Sequence, residues 1–333
     1  MWNKLSFTFG ILAYNQEKEI LETLESIRYQ IEHYSDNENI NLILIDDSSA
    51  DNTVDVVIQW LNFRKNIFGH IDVLLNKKNM GTVYNYNLLI KKIEGPFKII
   101  AGDDLIASGN IIDKIKNMNW NDLDTYVCTN LINGNVKYDE YRGLLFFYNS
   151  MNLYKKNYVL KSMRTGYFLH TPSTHYSKEL FVKAKCSYYN RRFRLFEDNP
   201  SWYAIIKNIS NLSINFVDDV VVLYRINEKS VSNGLTYSSV FSKELDMLDK
   251  LYYKETKGFE HIIFWFKTNG HIPKILRLDK YIDKLRKFYM CFIVKNRKNY
   301  KDFKRHIESV IEKEQKYYNK ILENVNQYIE ESK

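Results

Sequence analysis

The sequence predicts an α/β fold, a doubly wound and mostly parallel sheet, with a C-terminal helical extension. Two patterns carry this prediction. The first hundred residues alternate short apolar runs with amphipathic stretches, and strands separated by single helices need right-handed crossovers and a parallel sheet. Beyond residue 238 the pattern turns helical and charged to the end, with no strand signal.

Taken in order, residues 5–12 read as a strand, and residues 17–30 as a helix with Ile20, Leu21, Leu24 and Ile27 at helical spacing. Residues 41–45 form a second strand, 53–61 a helix, 71–75 a third strand, 83–93 a helix and 97–101 a fourth strand. The middle is less regular. Strands are expected over 126–129, 144–147 and 220–224, and short helices over 179–184 and 198–209. Ser232-Asn233-Gly234 is a loop signal, and a boundary there divides a first domain, residues 1–235, from a helical region, residues 236–333.

Composition limits the partners. With 333 residues the chain has room for one large domain plus an appendage, and 45% hydrophobic content is ordinary for a globular protein. The net charge of +8 suits an anionic partner. Basic residues interleave with Tyr and Phe over residues 274–304. No nucleic-acid module accompanies them, so a membrane surface is the partner expected there, and a solvated helical face is the plainer alternative. Three widely spaced cysteines, Cys128, Cys186 and Cys291, argue against a disulfide framework or a metal knuckle. No apolar run is long enough to span a bilayer and the N-terminus lacks a secretory pattern, so the expected location is cytoplasmic, or peripheral on the inner membrane face.

The chemistry gathers at strand ends. Four consecutive strands end in Tyr14-Asn15, Asp46-Asp47, the segment 76–79 and Asp103-Asp104. In open parallel sheets ligands bind at this rim. A carboxylate pair closing an apolar strand, as Asp103 and Asp104 do, can share a hard divalent cation with a diphosphate. A carboxylate such as Asp47 can accept from a pyrimidine N–H or a ribose hydroxyl, and Asp51 or Asn52 can cap the next helix.

These segments, read together, resemble glycosyltransferase family 2, the inverting nucleotide-sugar transferases of the GT-A fold, over roughly residues 5–235. The matching pieces are Ile11-Leu12-Ala13-Tyr14-Asn15, Asp46-Asp47-Ser48-Ser49-Ala50-Asp51-Asn52-Thr53, Asn79-Met80-Gly81 with Asn87, Ala101-Gly102-Asp103-Asp104, and Phe196-Glu197-Asp198. The resemblance implies a GT-A fold, a nucleotide-diphosphate sugar donor, most simply UDP-linked, and hexosyl transfer to a hydroxyl of a glycan or lipid-linked oligosaccharide acceptor in surface polysaccharide synthesis. It assigns nucleotide-sugar contacts to Ala13, Tyr14, Asp46, Asp47, Asn79, Gly81, Asn87, Gly102, Asp103 and Arg225, with Tyr14 stacking on uracil and Asp47 accepting from the base. It assigns Mg²⁺ or Mn²⁺ to Asp103 and Asp104, and the general base to Asp198. The sequence departs from the family pattern at Ala101, where the metal motif usually begins with Asp, and at Asn227, where a His is usual.

Other readings stay beside this one. His170 and His175 flank Pro172 and read as satisfied structural histidines. Walker and dinucleotide glycine loops are absent. A nucleotidyltransferase would carry a Gly- and Arg/Lys-rich loop after the first strand, where Ala13-Tyr14-Asn15-Gln16-Glu17 stands. A carbohydrate-binding protein on a decayed transferase scaffold is the non-enzymatic rival, kept open by Ala101 and Asn227.

Overall fold

In a computed structural model of the chain, residues 6–35, 39–151, 170–226, 239–268 and 278–333 are described. Strands and helices alternate at the start: β1 (Ser6–Ala13), α1 (Ile20–Tyr34), β2 (Asn39–Asp46), α2 (Thr53–Arg64), β3 (His70–Leu75), α3 (Thr82–Lys92) and β4 (Phe97–Ala101). The four strands form a parallel sheet of order β3-β2-β1-β4. Every element of this half matches its expected place to within a few residues. Register aligns Ala13 with Asp46 and Leu12 with Ala101, so the polar strand ends share one rim. Both faces of β1 are covered, as a parallel sheet requires: Phe7, Phe9 and Ile11 pack with Ile20, Leu24 and Ile27 of α1, and Leu12 packs on the opposite cluster with Leu89.

The middle segment adds β5 (Leu105–Ile106), α4 (Ile111–Lys116), β6 (Asp122–Tyr126), β7 (Thr129–Ile132), β8 (Asn135–Tyr138) and α5 (Glu140–Ser150). It continues with β9 (Thr174–Tyr176), α6 (Lys178–Lys183), α7 (Cys186–Asn190), α8 (Asp198–Asn208), β10 (Ser213–Val217) and β11 (Val222–Arg225). Two further mixed sheets result, ordered β10-β6-β9 and β5-β11-β7-β8.

Here the structure corrects the sequence reading. The expected strand at 144–147 is the middle of α5, whose start is capped by the Asp139 carboxylate accepting from the Arg142 N–H. Four apolar residues in a row carry no period, so the cap and the packing decide the conformation. The expected strand at 126–129 spans the end of β6 and the start of β7. Strands β5, β8, β9 and β10 have two to five residues each, too short or too polar for an alternating signal. The loop signal at 232–234 lies outside the described residues.

The last third is helical as expected: α9 (Ser239–Glu255), α10 (Gly258–Thr268), α11 (Leu278–Lys295) and α12 (Lys298–Glu331). These helices complete the cores of the first part. Leu248, Tyr252 and Phe264 pack in the cluster that holds Tyr203 and Ile206. Tyr317, Ile321 and Val325 of α12 pack against Leu105, Val127 and Leu223, and Tyr328 joins the cluster around Trp60. The Glu314 carboxylate, buried, accepts from Ser108 N (2.9 Å) and Ser108 Oγ (2.5 Å). Among the described residues no helix is long and apolar enough to cross a membrane.

Candidate active site

A cleft of ≈ 1530 Å³ opens along the rim where β1, β2 and β4 end, bounded on its far side by α5, β11 and the start of α8. Its lining brings together Ala13, Tyr14, Asp47, Asn79, Gly81, Asp103, Asp104, Asp198 and Arg225 of the expected set. Asp46, Gly102 and Asn87 do not line it.

The rim is knitted from two loops. After β1, Asn15 takes a left-handed conformation (φ 53). Its N–H donates to Ser49 Oγ, and its Oδ1 accepts from Ala50 N. Gln16 N and Glu17 N donate to Thr53 Oγ1 and Asp51 Oδ2, and Glu17 returns a carboxylate oxygen to Asn52 N. Asp46 is buried and accepts from Ser49 N and Oγ, so it shapes the turn and supports the strand end. The Tyr14 ring is left half-exposed at the mouth.

Asp47 closes the loop after β3. One carboxylate oxygen accepts from Asn76 Nδ2 (2.9 Å) and Met80 N (2.7 Å), the other from Gly81 N (2.8 Å). Gly81 sits at φ 87, a region that disfavours side chains, and a Cβ there would strike the Arg194 side chain. Arg194 itself donates from Nη2 to Asn79 O and Oδ1, and its carbonyl accepts from Val83 N at the start of α3. Asn87 points elsewhere: it bonds Asn190 and Ser187 and ties α3 to α7. Two residues earlier, Asn85 lines the cleft and accepts from Asn76.

The turn after β4 is held from three sides. A Cβ on Gly102 would collide with Gln16 Oε1 and Ile20 Cδ1, so glycine lets the turn lie against α1. Thr23 Oγ1 on α1 bonds the carbonyls of Gly102 and Asp104. Arg225 donates from its backbone N to Asp104 Oδ1 (2.8 Å), from Nε to Asp103 O (2.7 Å) and from Nη2 to Glu22 (2.5 Å). Its guanidinium fork therefore clamps the acidic turn, the structural alternative to holding a phosphate.

The two acids of the turn differ. Asp103 lines the cleft with Gln16 Nε2 donating to Oδ1 at 2.9 Å. Asp104 is buried, and burial together with the Asp103 charge holds its carboxyl well above the usual range. As a test for a divalent cation, this set offers one accessible carboxylate, Asp103, and one buried one, Asp104. Among the described residues no three His, Cys, Asp or Glu side chains converge, and Ala101 supplies no oxygen. A hard cation bound by one carboxylate and by substrate phosphates fits that donor set; a protein-built cage does not.

Opposite the turn stand Glu197 and Asp198. Asp198 opens α8, with Asn199 N donating to Oδ1 at 2.5 Å. Burial and the neighbouring Asp198 charge raise the Glu197 carboxyl well above its ordinary value. The loop in front is pinned by Glu244 of α9, which accepts from Arg194 N (2.5 Å), Leu195 N (3.0 Å) and Phe196 N (3.2 Å) and is buried.

A basic group lies under the site. Lys98 of β4 is buried, donates from Nζ to Pro172 O (2.8 Å), and is pushed down to about 8 by burial, opposed by Asp104. His170 and His175 also line this inner part. Burial, with the positive charge of Lys98 near both and Arg142 near His170, holds them well below the ordinary imidazole range, and His170 Nδ1 bonds Ser173 Oγ. Both are neutral packed histidines, as read from the sequence. Asn227 lies outside the described residues.

Sequence reasoning missed Arg194, Glu244, Gln16 and Lys98. Only Lys98 left a signal, a charge inside the apolar run Phe97-Lys98-Ile99-Ile100.

Comparison with known proteins follows the same line. The fold matches S. aureus TarS residues 1–349 in complex with UDP-GlcNAc at a TM-score of 0.55 and 17% identity, covering 79% of this chain and 71% of that one. It matches S. aureus TarS at a TM-score of 0.51 and 16% identity, covering 90% of this chain and 55% of that one, so the present chain spans about half of that longer protein. No curated protein matches the chain in sequence. The sequence profile of Glycosyl transferase family 2 matches residues 8–183, just over half of the chain. With the parallel sheet, the acidic turn and the Glu197-Asp198 pair on one cleft, the chain belongs to glycosyl transferase family 2 and is a glycosyltransferase.

Proposed function

We propose that the enzyme is an inverting transferase that moves a hexosyl group from a UDP-sugar to a hydroxyl of a glycan, extending a surface polysaccharide on a lipid-linked oligosaccharide. The observation that carries this reading is the convergence of Asp47, Asp103 and the Glu197-Asp198 pair, from distant parts of the chain, on one cleft. The likeness in fold to a TarS structure holding UDP-GlcNAc supports the choice of donor.

The residues divide the work. The half-exposed Tyr14 ring offers a stacking face for the base, and the loop held by Asp47 forms the floor beneath it. Asp103 faces the diphosphate and would hold Mg²⁺ or Mn²⁺, whose charge offsets that developing on the leaving group. Asp104 stays behind as a buried support. Asp198 takes the proton of the acceptor hydroxyl, with the Glu197 carboxyl beside it held well above its ordinary value. As that oxygen bonds the anomeric carbon from the side opposite the diphosphate, the bond from carbon to the diphosphate oxygen breaks, UDP leaves with the electron pair, and the configuration inverts.

UDP release from a panel of UDP-sugars, with Mn²⁺ and with EDTA, tests the reading because slow hydrolysis needs no acceptor. Release from at least one donor, lost in EDTA, is expected. Asp198→Asn should lower release by about 10²-fold or more while leaving donor affinity within a few-fold. Equal loss of both would make Asp198 a structural residue.

A further inference from the structure

Helix α11 has two unlike sides. Met290 and Val294 are buried in the cluster shared with Phe303 and Ile307 of α12, which anchors one side. The other side presents Tyr281, Leu285, Phe288, Tyr289 and Phe292, each between 52% and 72% exposed. At the turn of an α-helix these five fall within an arc of about 100°, opposite the buried pair, and exposed Lys284 and Lys295 border its edge. The neighbouring α10 adds Phe259 and Ile262, also exposed. Isolated exposed apolar residues need no explanation, but a stripe of five on one helix face does.

We propose that this face of α11 seats on an anionic lipid bilayer, with the aromatic stripe at the boundary of headgroups and acyl chains. Charge selects the occupant. From Leu278 to Lys295 the helix carries Lys280, Lys284, Arg286, Lys287 and Lys295 against Asp279 and Asp283, and of the basic residues the exposed Lys284 and Lys295 border the stripe. Two-fold pairing with a second copy would set one basic row against another with no acidic row to receive it. Anionic headgroups receive it directly, and an apolar stripe of aromatics beside lysines is the composition of helices that lie in a membrane interface.

The placement bears on the proposed reaction. Lys287 lies 5.1 Å from the centre of the Tyr141 ring. Tyr141 begins the face of α5 that continues through Arg142, Leu145 and Phe146 along the cleft. One helix thus separates the bilayer-facing surface from the cleft wall, a geometry suited to an acceptor carried on a lipid. This use rests on the proposed function; the binding itself does not.

The test is co-sedimentation of the full chain with phosphatidylcholine vesicles, with and without phosphatidylglycerol, at low and high salt. Binding that requires phosphatidylglycerol and weakens with salt is expected. Leu285→Gln/Phe288→Gln/Phe292→Gln should lower it at least about tenfold, and Lys284→Gln/Lys295→Gln should lower it and flatten its salt dependence. Both variants should keep the wild-type unfolding midpoint and rate of UDP release. A wild-type chain that stays in solution with phosphatidylglycerol vesicles overturns the proposal. So does a wild-type dimer in sedimentation velocity that the triple variant converts to monomer. Vesicle binding is read whether or not any donor is hydrolysed, so failure here is separable from failure of the catalytic reading.

Discussion

At the scale of single residues the site is a set of charges held at unequal depths. Asp103, Asp104, Glu197, Asp198 and Lys98 all line the cleft, but Asp104 and Lys98 are buried there, and burial shifts Asp104, Glu197 and Lys98 from their ordinary values. Lys98 makes a testable case. Its pKa is lowered from 10.5 to about 8 by burial, so between those values the unfolded chain binds a proton that the folded chain has released. Stability then rises with pH across this window. Relative to Lys98→Met, the wild type should gain up to about 3 kcal/mol from pH 7 to pH 10, read as the difference in urea unfolding between the two proteins at each pH. A constant difference would mean that the ammonium stays solvated. The polar strand ends were legible because carboxylates that close apolar runs resist any packing account. Asn87 was not, since the rotation of α3 that favours Asn85 for the cleft depends on how the helix docks.

At the scale of elements, the acidic turn and the loop before Glu197-Asp198 are each positioned by distant helices. Thr23 and Glu22 of α1 act on the turn after β4, the former directly and the latter through Arg225. Glu244 of α9 acts on residues 194–196, which lead directly into Glu197 and Asp198. Removing that carboxylate leaves three backbone donors without it, at about 1–3 kcal/mol for each one left buried and unpaired. Glu244→Ala should therefore lower the urea midpoint and depress kcat for UDP release more than it raises KM. Glu244→Gln, which keeps one accepting oxygen, should fall between. An Ala variant with unchanged kcat would show that the loop holds its own shape. Neither contact was readable from the sequence, because a lone Glu in a charged helix looks like any solvated one. The misread α5 has the same origin, a short apolar run whose conformation is decided by a cap and by packing.

For the whole molecule, the C-terminal helices pack into the same apolar clusters as the first part of the chain. α12 supplies Tyr317, Ile321 and Val325 to one core, Tyr328 to another, and Glu314 to Ser108 just beyond the acidic turn. Truncation to residues 1–297 would expose that apolar surface and leave Ser108 without its partner. Each large apolar side chain lost from burial costs about 1.5–3 kcal/mol, and four or more exceed the margin of an ordinary domain. The expected outcome is an aggregated or unfolded product by size exclusion and circular dichroism. A soluble, active fragment would instead show that residues 1–297 fold without α12.

The sequence by itself determined the parallel sheet, the rim at its strand ends and the acids that crowd there, because period and polarity along the chain are local properties. Only the tertiary structure decided which of those acids face the cleft, that Arg225 grips the acidic turn, and that Arg194 and Glu244 brace the loops on either side of the cleft. Such roles follow from desolvation and from contacts between residues tens to hundreds of positions apart, and no pattern along one stretch of chain encodes them.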